Sequence, residues 1–392
     1  MSKLDELIQQ LCPNGVEFKS LGEIGKVSMC KRILKSETSV VGEIPFYKIG
    51  TFGKTADAFI SKELFDKYRS EYSYPKQGDI LISAAGTIGR TVIFDGKPAY
   101  FQDSNIVWID NDESLVLNKY LYYYYQLEPW KIASGGTITR LYNDNIRSVQ
   151  LPVPPLPVQA EIVRILDKFT ELTAELTAEL TARKKQYEYY KNSLLTFDHT
   201  IASLPLNDVI NFRNGKGHEK NIVSDGKYIV VNSKFISADG LVKKYSDSQI
   251  EPLFVDDILM VMSDLPNGKA LAKCFLVEED DKYTLNQRIC ALSVKDKNAF
   301  STKFLYYYLN RNWQLLKFDN GCDQTNLKKA DILNIRIPIV SFSEQEHIVS
   351  ILDRFDTLCN DLTSGLPAEI EARQKQYEYY RDKLLSFENI KR

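Results

Sequence analysis

Two groups of residues have the make-up of a metal-dependent phosphodiesterase centre: Asp95-Gly96-Lys97 with Asp79 upstream, and Asp280-Asp281-Lys282 with Asp264 upstream. Carboxylates of this kind hold divalent ions, and a lysine nearby stabilises developing charge. Turn composition explains both groups better, because Asp-Gly-Lys recurs at Asp225-Gly226-Lys227, as hairpin tips do. Gly215-Lys216-Gly217 is too short to cradle a phosphate, no G-x-x-x-x-G-K-[ST] is present, and no Gly-rich turn of the dinucleotide-binding type follows a strand. The six cysteines, Cys12, Cys30, Cys274, Cys290, Cys322 and Cys359, include no C-x-x-C pair, and His199, His218 and His347 lie far apart, so zinc-finger spacing is absent. The sequence therefore points to no catalytic residue, no metal and no cofactor. Tyrosines 122–125 and 306–308 have the rings to stack on bases, but aromatics at helical spacing more often fill a core.

The elements that would carry any function form a duplicated series. Lys185-Gln186-Tyr187-Glu188-Tyr189-Tyr190 returns as Lys375-Gln376-Tyr377-Glu378-Tyr379-Tyr380, and residues 183–197 match 373–387 at ten of fifteen positions. Apolar residues at 169, 172, 176, 180, 187, 190, 194 and 197 keep one face of a helix continuously apolar, and the second copy runs 355, 358, 362, 366, 370, 377, 380, 384, 387. Each stripe requires a partner, and the other copy fits as the second strand of a coiled coil. In the first copy Thr173-Ala174-Glu175-Leu176 is followed by Thr177-Ala178-Glu179-Leu180, each unit adding about one turn, ~6 Å. Gly365 and Pro367 interrupt the second copy, where a break is expected with Ser364 capping a restarted helix and Glu369 favouring its first turn.

Before each helix lies a stretch of short strand-like runs and one tyrosine-rich helix. Gly78-Asp79-Ile80-Leu81-Ile82 is answered by Asp256-Asp257-Ile258-Leu259-Met260, and Lys119-Tyr120-Leu121-Tyr122-Tyr123-Tyr124 by Lys303-Phe304-Leu305-Tyr306-Tyr307-Tyr308. The fold class expected is α+β: two similar mixed α/β domains separated by two long antiparallel helices, with a pseudo-two-fold internal repeat. The expected segments are a helical lead at 1–13, a first domain at 14–156, a central helix at 157–198, a second domain at 199–342 and a C-terminal helix at 343–392. Four prolines within 151–157 make an extended hinge before the first helix, expected from about residue 158. With 392 residues and a net charge of −2, DNA contact would have to come from local clusters and not from a general basic field. No apolar h-region opens the chain and no run approaches ~20 apolar residues, so a cytoplasmic protein with no membrane contact is expected.

On the duplicated domain-plus-helix plan, on Pro155-Leu156-Pro157-Val158-Gln159-Ala160-Glu161-Ile162-Val163, on the Thr-Ala-Glu-Leu units and on the two Lys-Gln-Tyr-Glu-Tyr-Tyr blocks, the whole chain resembles the specificity subunit of type I restriction-modification systems. The resemblance implies that each globular unit is a target recognition domain reading one half of a split DNA sequence. It also implies that the helices form an antiparallel spacer which docks methyltransferase subunits, two of them, and through them restriction and translocase subunits. Catalysis would belong to those partners. Residues 2–11 are then expected beside the end of the second helix. The competing reading is a duplicated coiled-coil scaffold that binds only proteins.

Under that role, bases are read by polar side chains on loops while cations hold phosphates. In the first domain the residues expected at double-stranded DNA are Lys31, Arg32 and Lys35, the loop bearing Ser83, Thr87 and Arg90, and Thr137, Thr139, Arg140 and Asn143. In the second they are Arg213, Asn214, Lys216, His218 and Lys220, then Asn267 and Lys269, then Gln324, Asn326, Lys328 and Lys329.

Overall fold

The computed structural model describes residues 2–130, 140–198, 200–265, 269–319 and 321–390. It comprises two units, one of Met1–Thr177 with Glu369–Arg392 and the other of Ala178–Ala368. Each unit therefore contains helix from both copies of the repeat.

In the first unit an antiparallel four-stranded sheet runs Lys26–Ser28, Ile106–Asp110, Ile80–Ser83, Thr91–Ile93, and a three-stranded sheet runs Phe59–Ile60, Ile44–Tyr47, Tyr100–Phe101, its last pair parallel. The central strands are apolar over residues 80–82 and 106–109 because both faces are covered there. Leu81, Ile106 and Trp108 enter one core, while Ile80, Ile82, Val107 and Ile109 enter another, the alternation expected of successive strand residues. The second unit repeats the scheme: Ile210–Asn214, Ile289–Val294, Ile258–Val261 and Cys274–Leu276 form the larger sheet, and Tyr245–Ser246, Tyr228–Val231 and Tyr283–Leu285 the smaller. There Leu259 and Val261 face one core, Ile258 and Met260 the other.

The tyrosine-rich helices Asn118–Tyr125 and Thr302–Leu309 pack on the larger sheets, burying Tyr120, Tyr123 and Tyr125 in one unit and Tyr307 in the other. They are core elements, and the stacking role is not needed to explain them. The helix Leu156–Leu194 begins two residues earlier than its prolines suggest. Pro157 is tolerated in its first turn because an N–H there has no intrahelical acceptor to lose. Pro152 sits instead in the strand Gln150–Val153, which pairs with Glu17–Ser20.

The second copy is two helices, Phe342–Asn360 and Leu366–Leu384, with the break where Gly365 and Pro367 place it. Asp361 organises the gap: its carboxylate accepts from the Thr363 amide (2.7 Å) and hydroxyl (2.6 Å) and from the Ser364 hydroxyl (2.5 Å). These bonds hold the Asp361 carboxyl well below the usual carboxylate range. The Ser364 hydroxyl is thus directed to Asp361. A Cβ at Gly365 would stand 2.4 Å from the Thr357 carbonyl oxygen, so only glycine fits this close approach.

At the start of the chain, Ser2 and Asp5 close a capping box on the helix Lys3–Leu11. Leu4, Cys12 and Val16 share a core with Tyr377 and Leu385. The Val16 amide donates to the Glu388 carbonyl (2.9 Å) and the Ile390 amide to the Val16 carbonyl (3.1 Å). The N-terminal segment therefore lies beside the end of the second helix, as the resemblance implied.

Candidate nucleic-acid interface

In both units the loop leaving the central strand is held by a returning segment. In the first, Ala85 bridges Arg140 and the Leu141 amide donates to the Ala84 carbonyl (2.8 Å); in the second, Ser263–Asp264 pairs with Thr325–Asn326. This brings together residues more than fifty positions apart at one edge of the larger sheet.

At that edge the first unit has a cleft of about 500 Å³ whose walls include Arg32, Lys35, Lys48, Gln102, Asn105 and Arg140. Arg32 donates to Asp103 (2.9 Å) with its side chain 68% exposed, and Arg140 donates to the Ser104 carbonyl (2.6 Å). Lys35 is exposed at the start of the turn Lys35–Glu37. The structure therefore places Arg32, Lys35 and Arg140 in one cleft. Lys31 is exposed with its Nζ 4.9 Å from the Tyr72 ring centroid. Asn143, half-buried, opens the helix Asn143–Arg147.

The loop from Ser83 to Arg90 divides between tip and brace. Thr87 is exposed at the tip. Ser83 is buried, donating to the Thr87 carbonyl and accepting from the Arg90 amide (2.9 Å), while the Arg90 guanidinium donates to the Phe52 carbonyl (3.0 Å). Thr137, Thr139 and Asn267, expected at the interface, lie outside the described residues.

The second unit directs its side chains differently. Arg213 is half-buried against Asp257 (2.5 Å), Glu251 (3.3 Å) and the Pro252 carbonyl (2.8 Å), and Lys216 pairs with Glu251 at 3.0 Å. His218 is fully buried: Nε2 lies 2.9 Å from the Thr284 hydroxyl and Nδ1 2.7 Å from the Lys216 carbonyl. With both ring nitrogens occupied, His218 has no hydrogen-bonding atom for a base edge, and like Ser83 it braces a loop. Asn214, Lys220, Lys269, Gln324, Asn326, Lys328 and Lys329 are exposed. Gln324 donates to the Ser263 hydroxyl (2.7 Å), the Lys328 amide donates to Asp331 (2.9 Å), and the Lys329 Nζ lies 5.0 Å from the Phe212 ring.

The nuclease-like carboxylates are turn braces. Asp79 is buried and accepts from the Lys76 amide (2.8 Å), with burial raising its pKa; Asp95 accepts from the Lys97 amide (3.0 Å). Asp264 accepts from the Ala270 (2.8 Å) and Leu271 (3.2 Å) amides, Asp280 accepts from Val255, and Asp281 pairs with Lys227.

Sequence reading missed Lys48, Gln102 and Asn105 in the cleft. They follow strands Ile44–Tyr47 and Tyr100–Phe101, whose parallel pairing unites segments over fifty residues apart, and a run of two or four strand residues carries no signal of its partner.

The model of the type I restriction modification DNA specificity domain matches the chain twice, over residues 13–183 and 200–372. The chain is similar to the Escherichia coli type I restriction enzyme EcoR124I/EcoR124II specificity subunit, 31% identical over 99% of this chain and 98% of the relative. A Haemophilus influenzae protein named as a type I specificity subunit, S.HindORF215P, is 64% identical over 181 residues, a match covering 45% of this chain and only 47% of that relative. Among solved structures, the S subunit of a type I system from M. genitalium superposes with a TM-score of 0.55 at 16% identity, covering 95% of this chain and 96% of that one. A second, from a study of type I complex assembly and conformational transition, gives 0.59 at 14% identity, covering 96% and 98%. At such identities the structures speak for fold alone. With two copies of the domain spanning most of its length and a full-length relative in the family, this chain belongs to the specificity subunits of type I restriction-modification systems.

Proposed function

We propose that the chain is the non-catalytic subunit that reads a split DNA sequence, one half with each globular unit, and that its helices form an antiparallel coiled-coil spacer related by a pseudo-two-fold axis. The observation that carries this reading is an exchange of equivalent residues. In the first unit Phe169 stacks on Tyr380, ring centroids 5.4 Å apart; in the second, Phe355 stacks on Tyr190, also at 5.4 Å. Phe169 and Phe355 are counterparts in the repeat, as are Tyr190 and Tyr380, so each helix copy serves as partner to the other within both units.

Phosphates are held by exposed cations such as Lys35 and Lys328, and bases are read by Thr87, Arg140, Gln324 and Asn326 at the two loop edges. Exposed tyrosines on the helices, Tyr189 at 69% and Tyr379 at 62%, belong to the surface that receives two methyltransferase subunits, through which restriction and translocase subunits join. The chain would work in the cytoplasm. No helix among the described residues is long and apolar enough to cross a membrane.

The test is the methylation pattern of host DNA with and without this chain. A two-part motif with a constant gap should vanish when the chain is removed. A pattern that is unchanged supports a scaffold that binds proteins alone.

A further inference from the structure

Each long helix is pinned to its globular unit at two points, by the same residue types in both units. At the first turn, the Gln159 side chain accepts from the Leu117 amide (2.9 Å) and donates to the carbonyls of Leu115 (2.9 Å) and Pro154 (2.7 Å). Two turns on, Asp167 accepts from the Tyr123 hydroxyl (2.7 Å) and the Lys119 ammonium (2.6 Å). In the second unit Gln345 accepts from the Ser301 amide (2.8 Å) and donates to the carbonyls of Ala299 (2.9 Å) and Val340 (3.0 Å). Asp353 there accepts from the Tyr307 hydroxyl (2.6 Å) and the Lys303 ammonium (2.7 Å).

Both pins in each unit engage one element, the tyrosine-rich helix and the residues entering it. Between the pins the helix buries an apolar strip, Ile162, Val163 and Leu166 in one unit and Ile348, Val349 and Leu352 in the other, and in the first unit Glu161 beside it pairs with Lys3. Apolar burial is non-directional and would tolerate a small slide or rotation of the helix. Hydrogen bonds to an ionised group are short and directional. The neutral glutamine contact and the ionised aspartate contact, ~12 Å apart along the helix axis, together fix both its tilt and its rotation, where one would leave a pivot.

We propose that Asp167 with Tyr123, and Asp353 with Tyr307, are positioning residues that fix the angle of each recognition unit on its helix and thereby restrict the chain to a single gap between half-sites. The proposal rests on the split-site reading above. It assigns gap tolerance to four side chains that touch no DNA, separately from the length of the helices, which sets the mean gap.

The experiment uses the full chain assembled with its methyltransferase subunits, acting on a duplex library in which the gap between the two half-sites varies by up to two base pairs. Wild type is compared with Tyr123→Phe, Tyr307→Phe and the double variant, and thermal unfolding is recorded alongside. The double variant should methylate duplexes one base pair off the native gap about tenfold more, relative to the native gap, than wild type does, with the half-site bases unchanged. A gap preference as sharp as wild type overturns the proposal, whether or not the melting temperature falls, because a merely structural role predicts that fall alone. Should the double variant not assemble, the single variants are read on the same library, and unchanged sharpness in both overturns it. A wild-type complex that selects no split motif would instead overturn the reading on which the proposal rests.

Discussion

The two globular units share a frame and differ at the edge that would meet DNA. In the first, Arg32, Lys35, Lys48 and Arg140 line a cleft, with Arg32 paired to Asp103 and Lys48 to Asp57, both cations largely or partly exposed. In the second, Glu251 and Asp257 draw Arg213 inward and Glu251 holds Lys216. The frame beneath is nearly superposable in its chemistry: the same sheet orders, the same glutamine at the helix start, the same Asp-Tyr-Lys contact two turns later. Interactions that position the domain have one solution and recur, whereas side chains at the edge are free to differ, as the proposed reading of two unlike half-sites requires.

The comparison is broken most severely at His218. His218→Ala would leave a cavity and remove one partner of the Thr284 hydroxyl, which keeps its bonds to the Glu251 backbone, destabilising the second unit by about 3 kcal/mol while the first is untouched. Denaturant unfolding followed by hydrogen exchange in each unit measures this. A base reader would instead leave stability unchanged and alter the second half-site.

A smaller effect belongs to the first unit alone. Glu161, which has His347 as its counterpart, is held at about 2 by the Arg164 guanidinium and then by Lys3. Its folded-state pKa lies below the ordinary value of 4.5, so its contribution is fully present above pH 4.5 and is lost as pH falls through about 2. With Lys3 and Arg164 both largely in solvent, about 1 kcal/mol is expected. Hydrogen exchange in the helix Lys3–Leu11 should accelerate across that window, and Glu161→Gln should remove the dependence.

The smallest effects separate the two edges electrostatically. Lys35→Ala should lower the slope of log affinity against log salt by about 1 without changing either half-site, and Lys216→Ala should lower it by less, because Glu251 already neutralises that ammonium. Equal slopes in a binding titration over salt would mean that the carboxylates of the second unit do not shape its interface.

Much of the frame was legible because it is written twice. The stripes at 169–197 and 355–387 required partners, the tyrosines at helical spacing went to the core, and Gly365 with Pro367 marked the break. The site was less legible. His218, Ser83 and Arg213 look like readers in a sequence, where a polar residue on a loop tip and one folded under it are identical in type. What separates them is a partner far along the chain: Thr284 for His218, Asp257 for Arg213. Lys48 entered the cleft by a parallel strand pairing that leaves no local trace. Conversely, Gln159 stood in a recognised motif, and only the geometry showed what it and Asp167 hold.

The central claim, that the helices set the distance between two independent readers, is tested most directly by inserting one more Thr-Ala-Glu-Leu after Leu180 and mapping methylated sites. The account predicts the same two half-sites with a gap longer by about one to two base pairs, since four helical residues add ~6 Å against ~3.4 Å per base-pair step. An unchanged gap, or new bases in either half, would contradict it.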